Sequence, residues 1–117
     1  MKAIIEVAKR GSAALSAKAQ VAASRRGVSP DFRLSFESAR TLFSELTPAR
    51  VDLLGTLRRA GPCSVSALAK AAQRNYSNVH TDVTRLEELG LIERTKDGLV
   101  SVPYESVEIV LPLAQAA

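Results

Sequence analysis

The chain has 117 residues, 46% hydrophobic and 24% charged, which suffices for one modest core with appendages and is too apolar for wholesale disorder. A single cysteine, Cys63, and a single histidine, His80, exclude an intrachain disulfide framework and a thiolate or imidazole metal cluster. The net charge of +4 is unevenly placed, with six basic and one acidic residue in 1–30, five and four in 31–60, and five and seven in 61–117.

Lys2 to Val7 alternates in part, with Ala3, Ile5 and Val7 on one side, and predicts a short strand. Glu6, Lys9 and Arg10 interrupt this start before a signal-peptide core develops. No stretch approaches the roughly 20 apolar residues of a membrane span, so a cytoplasmic protein with no membrane partner is expected. Gly11 breaks the strand, Ser12 can cap a helix, and the alanine-rich run to Arg26 predicts one with a narrow stripe of Leu15, Ala19 and Ala22. A frayed arm is the alternative reading of that run. Gly27, Ser29 and Pro30 end it, and Phe32, Leu34 and Phe36 alternate with Arg33 and Ser35 as a second strand. Residues 1–36 thus read as a β-α-β extension suited to dimerisation or partner docking.

Glu37 to Leu46 predicts a helix with Ala39, Leu42, Phe43 and Leu46 as its stripe. Thr47-Pro48 starts the next, because threonine caps and proline at the first helical position loses no needed N–H. Val51, Leu54 and Leu57, with Leu53 alongside, give that helix a core face, and Gly61-Pro62 stops it. Ser64 caps a short helix with Val65, Leu68 and Ala69 inward, ending near Ala72 or Gln73. A tight turn at Gln73-Arg74 leads to the cap Asn75 and a third helix to about Leu89. LIERT, KDG and LVSV follow as strand, turn and strand, with Asp97-Gly98 a strong hairpin signal.

The expected fold class is therefore α+β. Residues 37–103 form a winged helix-turn-helix, a three-helix core plus a β-hairpin wing. Residues 104–117 give a C-terminal strand of Val107, Ile109 and Leu111, expected to pair with an N-terminal strand, and a tail beyond Pro112.

In a helix-turn-helix the second helix enters the major groove of DNA, here 75–89. At about 100° per residue, Val79, Val83, Leu86 and Tyr76 form its buried seam, with His80 at the edge, hydrogen-bonded to a neighbouring segment. The opposite face carries Ser77, Thr81, Thr84 and Glu88, with Asn78 and Arg85 on one flank; Ser77, Asn78, Thr81 and Arg85 have the chemistry to read base edges or hold phosphates, whereas Glu88 opposes contact at the distal end. A solvated helix face is the plainer reading of the same residues. Arg74, Asn75 and Ser64 stand where helix N-termini can meet phosphates, with Asn75 mainly a cap. Arg94 and Lys96 place charge on the wing over 91–102. Cys63 reads as a packed residue, since a redox-sensing thiol would want local positive charge. No phosphate loop, paired carboxylate motif or nucleophile with a base is present, so neither catalysis nor a cofactor is expected.

The stretch GPCSVSALAKAAQRNYSNVHTDVTRLEELGLIERTKDGLVSVPY resembles MarR-like winged-helix regulators. With SFES and LTPARVDLL before it, it is more closely similar to a family of short prokaryotic DNA-binding regulators. The most specific pieces are LTPARVDLL, the run from Arg74 through Asn78 to Val79-His80 and Asp82, and LEELGLIER. The resemblance implies binding of double-stranded DNA by a homodimer, typically a repressor. Some relatives look like antitoxins, which implies a toxin protein as an alternative partner. Members often carry basic residues where this chain has Ser77 and Thr81, a departure that implies modest affinity per subunit.

Overall fold

The computed structural model describes residues 1–7 and 31–113. The helix expected between Ser12 and Arg26, with its flanking Gly11, Gly27, Ser29 and Pro30, lies outside the described residues, as does the end of the tail. The described chain is α+β and divides into two compact units, one from residues 1–45 and 106–117 and one from residues 46–105.

The first unit is built on a parallel sheet in which β1 (Ala3–Val7) lies between β2 (Phe32–Phe36) and β5 (Val107–Val110). Ala3 and Ile5 of β1 stand beside Phe32 and Leu34 on one flank and Val107 and Ile109 on the other. Side chains alternate across a strand, so one face of the sheet is apolar. The other carries a polar ladder: Lys2 Nζ lies 3.0 Å from Glu108 Oε1, and Ser35 Oγ donates to Glu6 at 3.3 Å. The expected pairing of the last strand with the first is present.

Helix α1 (Ala39–Glu45) belongs to this unit. It begins two residues later than Glu37 because Ser38 Oγ accepts the Thr41 N–H and so acts as the cap. Of the expected stripe, Leu42 is fully buried and Leu46 nearly so, whereas Ala39 and Phe43 face solvent. The boundary between units falls at Leu46, so α1 is grouped with the sheet and the chain from Ser106 returns to it.

The second unit comprises α2 (Pro48–Ala60), α3 (Val65–Ala72), α4 (Tyr76–Glu88) and a short antiparallel pair, β3 (Glu93–Arg94) with β4 (Val100–Ser101). Each helix starts as the sequence predicts. Thr47 Oγ1 accepts from the Arg50 N–H, Ser64 Oγ from Ala67 and Asn75 Oδ1 from both Ser77 and Asn78. Gly61, at φ +80°, closes α2 and gives its N–H to the Leu57 carbonyl. Gln73 makes the turn between α3 and α4 in the left-handed region, φ 54° and ψ 46°, while the Arg74 N–H returns to the Ala69 carbonyl.

The core of this unit gathers Leu53, Leu54 and Leu57 of α2, Val65, Leu68 and Ala69 of α3, and Val79, Val83 and Leu86 of α4. Val51, expected among them, is 45% exposed. The inward place at the start of α2 belongs instead to Arg50, one turn before Leu53 and Leu54, whose largely buried side chain reaches Asp82.

The hairpin strands are two residues each, shorter than expected, because Leu91 and Ile92 are spent following the helix end. Their N–H groups both return to the Leu86 carbonyl, and both side chains are buried. The tip is closed by Gly98, at φ +81°, giving its N–H to Thr95, and by Thr95 donating to Leu99. Val100 also exchanges both backbone hydrogen bonds with Cys63, at 2.8 and 3.1 Å, so the loop before α3 forms a third rung beside β4.

Candidate nucleic-acid interface

Helix α4 is two-sided. Val79, Val83 and Leu86 are wholly buried, and Ser77, Asn78 and Thr81 are exposed in its N-terminal half. The N-terminal half is set by two devices. The Asn75 cap satisfies two otherwise open backbone donors. In addition, Asp82 is held between Arg50 Nε at 3.0 Å and Arg74 Nη2 at 2.7 Å. These three side chains are each less than a third exposed and tie α2 and the α3–α4 turn to the middle of α4. Arg74 Nη1 is buried without a hydrogen-bond partner.

One member of the expected seam, Tyr76, and the residue expected at its edge, His80, lie in the open. Tyr76 is 54% exposed and His80 is exposed as well. The direction of Tyr76 around the axis agrees with Val83, but its place along the axis does not, because burial on this helix begins only at Val79. The two rings stand 5.9 Å apart at 36°, as residues four apart on a helix surface can. Periodicity alone assigns Tyr76 to the buried seam and misses the pair, for which the four-residue spacing is the only local signal.

The remaining site residues sort by what their polar atoms already do. Thr81 Oγ1 donates to the Ser77 carbonyl at 3.1 Å and Thr84 Oγ1 to the His80 carbonyl at 2.9 Å. Each hydroxyl therefore has its O–H engaged as a donor and retains lone pairs that can accept. Arg85 lies 2.9 Å from Glu88 Oε2, and Arg94 lies 3.1 Å from Glu87 Oε1, linking the hairpin to the distal half of α4. Arg74 is committed to Asp82, Ser64 is occupied as the α3 cap, and Asn75 as the α4 cap. Lys96 is exposed at the hairpin turn. The structure thus brings Ser77, Asn78 and Thr81 together on one open surface, and it pairs three of the expected arginines with carboxylates. The acidic partners Asp82, Glu87 and Glu88 are visible in the sequence, but their pairing depends on tertiary neighbours.

Burial pushes the Cys63 thiol above its ordinary value, which disfavours the thiolate that thiol chemistry needs. The Tyr104 hydroxyl is also raised, first by burial and then by the charge of Glu93. It donates to the Gly90 carbonyl at 2.9 Å and so pins the segment after β4 to the end of α4. Among the described residues no cluster of three or more metal-ligating side chains occurs, and no helix is long and apolar enough to cross a membrane.

Among protein families, the model described as HVO_A0114 matches residues 45–109 of the chain. No curated protein and no solved structure matches it.

Proposed function

The chain belongs to the HVO_A0114 family, and on that premise we propose that residues 46–105 are a winged helix-turn-helix that binds double-stranded DNA as a MarR-like transcriptional regulator. The observation that carries this reading is the division of α4, with a fully buried seam behind an exposed polar surface of Ser77, Asn78 and Thr81. A helix braced on one side and polar at its N-terminal end has the form that enters a major groove.

The chemistry of that surface suits base edges better than phosphates. The Asn78 amide has a donor and an acceptor, the pair that adenine presents in the major groove. Thr81 and Thr84, their protons already engaged, offer acceptors to the amino groups of adenine or cytosine. Lys96 and Arg94 on the hairpin would meet the sugar-phosphate backbone.

Residues 46–105 carry eight basic and seven acidic residues, so the nonspecific electrostatic contribution is small. Two subunits on a two-fold symmetric site, with half-sites about 10 bp apart, supply what one lacks, and the protein acts as a homodimeric repressor. A second reading, an antitoxin-type module that docks a toxin, draws support from the exposed edge strand β5.

Selection of bound duplexes from a random pool tests the first reading. Enrichment of a two-fold symmetric motif by the native chain, weakened in Ser77→Ala, Asn78→Ala and Arg85→Ala, is the expected result. Failure to enrich any duplex would reject it in favour of the interaction module.

A further inference from the structure

Strand β5 ends the order β2-β1-β5, so one row of its backbone groups has no strand partner among the described residues. Which row follows from the register. The Ala3 N–H donates to the Ser106 carbonyl, so by alternation Ser106, Glu108 and Val110 turn their backbone toward β1, and Val107 and Ile109 turn theirs outward. Its four residues contain no proline and no lysine, and its register with β1 is unbroken by a bulge, so shortness is its main protection as an edge. Its charge, Glu108, is held by Lys2 of β1.

The side chains tell the same story. Val107 and Ile109 continue the apolar face on which Ala3 and Ile5 are completely buried, yet they are 39% and 42% exposed, and Val110 on the opposite face is 48% exposed. The apolar face therefore runs past the part of the sheet that is covered.

We infer that β5 pairs antiparallel with β5 of a second copy of this chain, joining two three-stranded sheets into one of six strands. A two-fold axis through Ile109 fits the sequence. It sets Ile109 against its own counterpart on the apolar face, with their outward N–H and C=O groups exchanging bonds, and Val107 opposite Leu111, the residue that follows the strand. Glu108 then faces Val110. An axis through Glu108 would instead place two carboxylates opposite each other, which is unfavourable. The occupant is thus a second copy because the strand can pair with itself with its apolar residues aligned and its two carboxylates kept apart. So short a strand buries less than the roughly 800 Å² per partner of a standard interface, so association is weak and concentration-dependent. The inference specifies the dimer of the proposed regulator but does not depend on its DNA reading.

Sedimentation velocity on the full chain across micromolar to millimolar concentration tests it, with circular dichroism to establish folding. The native protein is expected to shift from monomer to dimer. Ile109→Pro removes an outward N–H together with the isoleucine side chain on the axis, at an edge position where proline is accepted, and weakens association by about tenfold or more. Ile109→Lys, which places like charges on the axis, does the same by an independent route. With Cys63→Ser as background, Ile109→Cys cross-links under mild oxidation more readily than Glu108→Cys. A native chain monomeric throughout, folded variants that dimerise as the native chain does, or cross-linking preferentially through position 108 would overturn the interface. Loss of the interface with retained duplex selection would leave the DNA reading standing.

Discussion

Asp82 shows how one residue can brace the exposed surface of α4 without belonging to it. Its carboxylate receives Arg50 and Arg74, so replacing it leaves two largely buried guanidinium groups facing each other. Asp82→Ala is expected to destabilise the fold by about 1–3 kcal/mol, measured by chemical denaturation, with Asp82→Asn milder. An unchanged midpoint would show that the triad contributes nothing. Gln73 holds a left-handed conformation that glycine adopts without penalty. Gln73→Gly should raise stability by about 0.5–1 kcal/mol, read by thermal unfolding.

Tyr104 supplies a pH signature. Its hydroxyl titrates higher in the folded chain than in the unfolded one, so its contribution is complete below the ordinary tyrosine value, about 10, and is lost as pH rises from there through the folded value. Tyr104→Phe should lower stability at neutral pH by about 1 kcal/mol through the lost bond to Gly90. It should also flatten the alkaline decline, as equilibrium unfolding from pH 8 to 11 would reveal.

At the scale of elements, helix starts were the most legible feature, because a cap is a local interaction. Thr47, Ser64 and Asn75 act where their residue types and neighbours say they should. The buried faces of α3 and of the middle of α4 were equally legible, since periodicity reports direction around the axis. What periodicity cannot report is where along the axis a neighbouring element stops, which is why Tyr76 and Phe43 are exposed and Val51 yields its place to Arg50. The hairpin tip was read from Asp97-Gly98, but its tie to Cys63 was not, because a rung between residues 37 positions apart leaves no local pattern.

For the candidate site, the exposed trio on α4 was legible, and the neutralisation of Arg74, Arg85 and Arg94 depended on geometry. One consequence is testable. Ser77→Lys or Thr81→Lys adds an unpaired cation to the surface and should strengthen nonspecific duplex binding, steepening the slope of log K against log salt by about 0.9. No change in either quantity, measured by fluorescence anisotropy over a salt series, would place α4 away from the DNA.

Across the whole molecule, charge and architecture are divided in the same way. The second unit holds α2, α3, α4 and the hairpin and is almost neutral, whereas the basic excess lies in residues 1–30. The apolar edge strand β5 belongs to the first unit, with the N-terminal β1. Under the proposed DNA-binding function, so nearly neutral a unit would draw its selectivity from base contacts more than from general attraction, and its avidity from pairing. The proposed role of α4 therefore predicts a high ratio of specific to nonspecific binding. Affinities for the selected duplex and for a scrambled duplex at one fixed salt concentration give that ratio directly for the native chain and for Asn78→Ala. The expected result is a fall in the ratio equivalent to about 1–3 kcal/mol in the variant, with scrambled-duplex affinity unchanged. A ratio that stays the same, or two affinities that fall together, would contradict a reading role for α4.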